Sequence, residues 1–203
     1  MNVVAIVATK RKEGIISTLT KELLRGAKNA GHDTKLINLY DYRINYCLGC
    51  WNCAKTGRCV LKDDFSKIFR ELSNADIIVL SAPVYFSNVP GIMKTFFDRQ
   101  IGLALKNMKE LSFLGVRFTL RFGPKEFMRN KKIIYITACT APWPFNILLG
   151  ETPAFFKAMN SYAKEGLRAK IIAKIVFTDS RFRNLKGKFD RYKRVAYEIG
   201  SKL

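Results

Sequence analysis

The chain has 203 residues, enough for one large domain, and its 48% hydrophobic and 26% charged residues are those of a globular protein rather than a disordered one. Lys and Arg number 36 against 16 Asp and Glu, a net charge of +20 that attracts polyanions non-specifically. No helix-turn-helix, RNP or zinc-finger spacing accompanies that charge, and no apolar stretch approaches the roughly 18 to 20 residues of a membrane span, so neither a specific nucleic-acid partner nor a membrane is expected.

The opening MNVVAIVATK lacks the charged start and long apolar run of a secretion signal, which points to a cytoplasmic protein with reduced cysteines. Within it, NVVAIVA (2–8) is a continuous β-branched run, expected of a strand buried on both faces. The polar loop TKRKEGIIS leads into a helix with Leu19, Leu23, Leu24 and Ala27 at helical spacing and a stop at Gly31. DTKLINLY reads as a second strand. Residues 42–60 follow as a cysteine-bearing loop, then DDFSKIFRELSNA as a helix with two acids in its first turn, where the macrodipole favours them. DIIVLSAP (76–83) is the third strand, and PGIMKTFFDRQIGLAL a helix with proline at its first position. Residues 109–130 mix aromatics and arginines without a clean period. They read as an irregular excursion, lying over a ligand site or against a partner subunit. KKIIYITAC (131–139) is a fourth strand, TPAFFKAMNSYAKEG a helix and RAKIIAKIVFTD a fifth strand. The last helix aligns Phe189, Tyr192, Ala196, Ile199 and Leu203 on one stripe.

Five strand–helix units with apolar rather than alternating strands require helices on both faces of a parallel sheet. No linker or repeat divides them, so residues 1–203 read as a single domain. The expected fold is α/β, a flavodoxin-like three-layer sandwich with a five-stranded parallel sheet in the order 2-1-3-4-5. Ligands in such sheets sit outside the carboxyl ends of the strands, which singles out the loops after strands one, three and four.

The first loop offers Thr9, Arg11, Ser17 and Thr18 beside a helix N-terminus, a combination that fits a phosphate; the alternative is a helix capped by Ser17 among solvated bases. Neither a Walker A nor a G-x-G-x-x-G is present. The second loop places Pro83, Val84, Tyr85, Phe86 and Ser87 at a strand mouth, where they could form a wall for a planar ring; core packing is the alternative for Tyr85 and Phe86. The third carries Thr137, Cys139 and Thr140 ahead of two aromatics, and Cys139 reads as a small buried residue.

SAPVYFSNVPGIMKTFFDR resembles the flavin loop and following helix of the NAD(P)H-dependent FMN reductase family, and Arg11-Lys12 with Gly14 is similar to that family's G-S-P-R-K-x-G phosphate loop. The cysteine run followed by VLKDDF is similar to the compact motif of the iron–sulfur flavoproteins, a branch of the same superfamily, and TACTAPWPFN looks like its third FMN loop. The chain departs from the family at Ala8-Thr9-Lys10, where G-S-P is usual. Ile15 and Ile16 replace hydrogen-bonding residues, a role that Ser17 and Thr18 take over if the register shifts.

Four of the five cysteines, Cys47, Cys50, Cys53 and Cys59, form a C-x2-C-x2-C-x5-C run. Three closely spaced thiolates and a fourth can wrap a 4Fe–4S cube, and Gly49 and Gly57 allow the turns this needs. Zinc ligands more often come as two separated arms. Free thiols are the third alternative. The resemblance implies FMN across the three loops, its phosphate against Thr9, Arg11, Ser17 and Thr18. The ring would lie against Pro83 to Ser87 and the loop of Thr137, Cys139 and Thr140. It implies NAD(P)H as substrate, flavin, quinone or a similar acceptor, no catalytic side chain, and a homodimer or higher homo-oligomer, for which the aromatic stretch 109–130 is a candidate interface because exposed apolar patches tend to be covered. The other reading is an FMN and iron–sulfur electron-transfer flavoprotein that accepts electrons from ferredoxin, an acidic partner suited to a +20 surface.

Overall fold

The computed structural model describes residues 1–104, 109–120, 125, 128, 130–181 and 185–203. In chain order its elements are β1 (Asn2–Val7), α1 (Ile15–Asn29), β2 (Asp33–Asn38), α2 (Asn52–Thr56), α3 (Phe65–Asn74), β3 (Ile77–Pro83) and α4 (Gly91–Ala104). There follow β4 (Lys109–Phe113), β5 (Val116–Leu120), β6 (Lys132–Ala138), α5 (Phe145–Leu148), α6 (Glu151–Asn160), β7 (Lys170–Phe177) and α7 (Lys186–Ser201).

β1, β3 and β6 are buried along almost their whole length because they occupy the middle of a five-stranded parallel sheet ordered β2-β1-β3-β6-β7. Numbered within the sheet this is 2-1-3-4-5, the expected flavodoxin-like order. Alternate residues of β1 divide between two cores. Val3, Ala5 and Val7 join Leu19, Leu23 and Ala196 under α1 and α7. Val4 and Ile6 join Phe65, Leu72, Phe96 and Phe155 under α3, α4 and α6. The stripe on α7 packs as its spacing predicts, with Ala196 buried and Phe189, Tyr192, Ile199 and Leu203 against the core. At the sheet edge, β7 exposes Lys170, Ile172 and Lys174, and lysines on an edge strand discourage pairing with another chain.

Three local expectations change. Residues 109–120, read as irregular, form an antiparallel hairpin of β4 and β5. Leu114 and Gly115, at φ 49° and 77°, close it with the doubly positive turn that suits the twist of hairpin strands. Residues 121–124, 126, 127 and 129 of the same stretch lie outside the described residues. The cysteine loop contains a one-turn helix, α2. The two acids expected in a helical first turn precede it instead, since α3 starts at Phe65, and Asp64 is its N-cap residue without a side-chain capping bond.

Candidate functional site

The loops after β1, β2, β3 and β6 meet at the carboxyl end of the sheet. Asn38 at the end of β2 joins the first two: its Nδ2 donates to the Thr9 carbonyl at 2.8 Å and its Oδ1 accepts from the Tyr40 N–H. Lys12 pairs with Asp41 at 2.9 Å, and Lys10 lies 5.5 Å from the Tyr40 ring centroid. The Tyr40 hydroxyl has its pKa raised by burial and then by neighbouring Tyr85, which brings the β3 loop to the same place. Val84 N–H donates to the Ala138 carbonyl and Thr137 Oγ1 to the Ala82 carbonyl, locking the β3 and β6 ends together.

Of the four residues proposed for a phosphate, two shape the loop. Thr9 is buried and its Oγ1 accepts from the Arg11 N–H at 3.2 Å; Ser17 is buried and its hydroxyl donates to the Arg11 carbonyl at 2.9 Å. Arg11 is therefore held by its backbone while its side chain is exposed, and Thr18 is half-buried on the first turn of α1. Ser17 does not cap that helix, and α1 has neither a side-chain cap nor an acid in its first turn. Its first N–H groups thus lack a side-chain acceptor, and the positive end of a 15-residue helix stands open beside Lys10, Arg11 and Lys12. This is a site suited to an anion.

After β3 the chain makes a minimal hairpin. Tyr85 and Asn88 exchange two backbone hydrogen bonds of 2.9 Å around Phe86 and Ser87, at φ 50° and 59°. Left-handed backbone at a bulky aromatic costs about 1–2 kcal/mol, and such strain clusters at functional sites. Tyr85 is 55% and Phe86 106% exposed, so core packing, one reading of these residues, is not what they do. Pro83 and Val84 are half-buried, as is Ser87. In the third loop Thr137 is buried and committed to Ala82, while Thr140 is exposed. Cys139 is 2% exposed, and burial followed by the charges of Glu151 and Asp179 pushes its thiol up to about 11. The next residues form an exposed apolar run, Trp143, Phe145, Ile147, Leu148 and Leu149, which residue-type burial preferences alone would not reveal.

The cysteine loop hangs on α4. Its base is closed by the two acids: the Asp64 carboxylate accepts from Arg43 N–H at 3.0 Å, and the Asp63 carboxylate from Asn45 N–H at 2.8 Å and Phe65 N–H at 3.2 Å. Asp63 also takes both terminal nitrogens of Arg99 at 2.7 and 3.0 Å, in a pair whose side chains are 0% and 1% exposed. Burial opposes the Asp63 charge, but Arg99 and the two N–H groups outweigh it and hold its pKa below the usual carboxylate value. Inside the loop, Gly49, Trp51 and Gly57 sit at φ 65°, 55° and 71°, the turns that glycine spacing predicts plus one at tryptophan.

All four thiols then line one pocket of about 50 Å³ together with Asp98, Arg99, Ile101 and Gly102. Cys47 and Cys50 are exposed, Cys53 and Cys59 half-buried. Burial raises the Cys53 thiol's pKa, and Cys59, Cys47 and Cys50 add to it, a sign of their proximity. Gly102 is what lets Cys53 lie on α4: a Cβ there would stand 2.5 Å from Cys53 Sγ. Among the described residues no three His, Cys, Asp or Glu side chains are gathered for a single metal ion. Four sulfurs around one zinc stand about 3.8 Å apart, given tetrahedral 2.3 Å bonds, whereas those at the corners of an iron–sulfur cube stand farther apart.

Fold and site together define a flavodoxin-like α/β protein with an anion-ready helix end, a strained aromatic hairpin and a thiol-lined pocket. The NADPH-dependent FMN reductase family matches residues 1–114. An iron-sulfur flavoprotein of Archaeoglobus fulgidus is 34% identical over 138 residues, covering 66% of this chain and 68% of that protein. Another from the same organism is 36% identical over 101 residues, 50% of this chain and 46% of its own length, so the chain spans about half of that relative. Among solved structures, an NAD(P)H:quinone oxidoreductase from Methanothermobacter marburgensis superposes with a TM-score of 0.75 at 14% identity, covering 100% of this chain and 96% of the other, a likeness of fold. The chain belongs to the NADPH-dependent FMN reductase family, in its iron–sulfur flavoprotein branch.

Proposed function

We propose that the chain is an FMN-dependent oxidoreductase that takes electrons from NAD(P)H and passes them to a flavin, a quinone or a similar acceptor. The observation that carries this is the convergence of an uncapped, base-flanked helix N-terminus with the exposed hairpin of Tyr85 and Phe86 at one end of the sheet. Phosphate is held by the α1 N–H groups, Arg11 and Thr18, in a loop shaped by Thr9 and Ser17. Pro83 to Ser87 and the loop of Cys139 and Thr140 border the ring, with Thr137 holding their strands together. When bound, flavin exchanges electrons in pairs or singly, and an iron–sulfur group exchanges them singly. Cys47, Cys50, Cys53 and Cys59 are the ligands we assign to a 4Fe–4S cluster. This reading assigns no described side chain the role of general acid or base, and Cys139 at that end is buried, which pushes its thiol up to about 11.

Protein isolated without oxygen should show two flavin absorption bands on a broad shoulder that bleaches with dithionite, and should oxidise NAD(P)H when a quinone is added. Flavin bands without the shoulder would remove the cluster and leave the reductase. A spectrum without flavin bands, unchanged by added FMN, would overturn the reading.

The thiol pocket favours a second reading, an electron-transfer flavoprotein accepting electrons from ferredoxin. It predicts rapid reduction by ferredoxin that slows steeply with salt, since a +20 chain steers an acidic partner. For either reading we propose a homodimer. The hairpin within 109–130 and the exposed run Trp143 to Leu149 are its candidate surfaces.

A further inference from the structure

Arg99 is the most heavily committed buried polar side chain near either site. It projects from α4, is 2% exposed, and lies with its guanidinium carbon 4.5 Å from the Phe65 ring centroid. One terminal nitrogen donates to the Asn45 carbonyl at 2.8 Å and to Asp63 at 2.7 Å, and so touches both strands at the base of the cysteine loop. The other donates to Asp63 at 3.0 Å and to Cys59 Sγ at 3.4 Å. Its Nε is buried without a partner, so the whole hydrogen-bonding capacity in use faces the loop. A buried ion pair is weak evidence for a stability role, because apolar residues of the same volume often stabilise as well or better. The extra N–H on a cysteine sulfur is what a stability role leaves unexplained.

We propose that Arg99 is the positioning residue of the four-cysteine site: it fixes Cys59 against α4, and its N–H on the Cys59 sulfur raises the electron affinity of the cluster held there. The proposal rests on the assignment of the four cysteines to an iron–sulfur cluster. Its physics is that hydrogen bonds to cluster sulfurs and nearby positive charge favour the reduced, more negative state and so raise the reduction potential. Cys59 is the ligand that needs such a device. It stands six residues beyond Cys53, outside the tight C-x2-C-x2-C spacing, and follows the left-handed turn at Gly57.

The test uses the full chain, reconstituted with ferrous iron and sulfide without oxygen. Iron per chain, the rate of iron loss to a chelator, and the midpoint potential are measured for the unsubstituted chain, for Arg99→Gln, and for Asp63→Asn combined with Arg99→Met. The double variant leaves no buried charge and keeps an acceptor for one of the Asn45 and Phe65 N–H groups, so it carries the test where Arg99→Gln does not fold. Both variants should lose iron about tenfold faster. Arg99→Gln should also weaken electron affinity about tenfold, a fall of about 59 mV for a one-electron couple. Arg99→Lys should recover part of that fall, a response that loop rigidity alone does not give. If the unsubstituted chain holds iron and the variants match it in release rate and midpoint, the inference on Arg99 falls and the four-cysteine assignment stands. If the unsubstituted chain takes up no iron, the assignment fails and the inference with it.

Discussion

The hairpin after β3 and the cysteine loop are both left-handed, aromatic-bearing excursions, but their geometry is held in opposite ways. The hairpin is self-contained: two 2.9 Å bonds between Tyr85 and Asn88 enclose Phe86 and Ser87, and nothing distant is needed to define it. The cysteine loop cannot do this. Its closure cost grows with length, and its one short helix, α2, has no buried residue. Its frame is therefore long-range, with Asp63 and Asp64 clamping Arg43 and Asn45 and with Arg99 reaching from α4. A self-contained hairpin keeps the proposed flavin end formed without a ligand. The cysteine loop is fixed at its base and leaves Cys47 and Cys50 exposed at its far side.

The sharpest way to break the contrast is to remove the clamp. Asp63→Ala leaves Arg99 as an unpaired buried charge and orphans the Asn45 and Phe65 N–H groups, a change expected to cost about 3–5 kcal/mol. Urea unfolding of the metal-free chain should show this loss. A loss below about 1 kcal/mol, the scale of an exposed pair, would mean that the loop base is open to water. Gly102→Ala separates site from fold. Within α4, alanine favours the helix by about 1 kcal/mol, and in the metal-free chain Cys53 Sγ, the end of a rotatable side chain, can swing from a Cβ 2.5 Å away. As a ligand it cannot. Metal-free stability should hold or rise while iron per chain falls several-fold. Full iron loading in this variant would place Cys53 outside the ligand set.

The sequence carried the sheet well, since unbroken β-branched runs have few other interpretations and five parallel units fit the order 2-1-3-4-5. It carried the cysteine motif through spacing and the turns at Gly49 and Gly57 through residue type. It did not carry the clamp: Asp63 and Arg99 are 36 residues apart and meet only after α3 and α4 pack. Two acids before an amphipathic run look alike whether they favour a helix dipole or close a loop. Asn38 escaped for the same reason, because its contact with Thr9 spans 29 residues and exists only once β1 and β2 are paired. The hairpin of β4 and β5 escaped because its mixed aromatic and basic composition has no period, and Gly115 was its one turn signal. Tyr85 and Phe86 were legible as residues at a strand mouth, but residue type alone could not separate an aromatic held in the core from one held out of it.

The smallest of the expected effects bears on the other half of the comparison. Phe86 is fully exposed at φ 50° in this structure, so Phe86→Gly discards no packing and relieves left-handed strain of about 1–2 kcal/mol. Glycine returns part of that, roughly 0.4–1 kcal/mol, as added freedom of the unfolded chain. The net expectation is a thermal midpoint that holds or rises slightly, together with weaker FMN binding in a titration followed by flavin fluorescence. A stabilised variant with unchanged affinity would take Phe86 off the ring and leave only the backbone of the hairpin there. A destabilised variant would show that Phe86 is covered in solution. Since the exposed run from Trp143 to Leu149 belongs to the neighbouring β6 loop, a second copy of this chain would be the first candidate for what covers it, and sedimentation of the variant would show the dimer weakened in step.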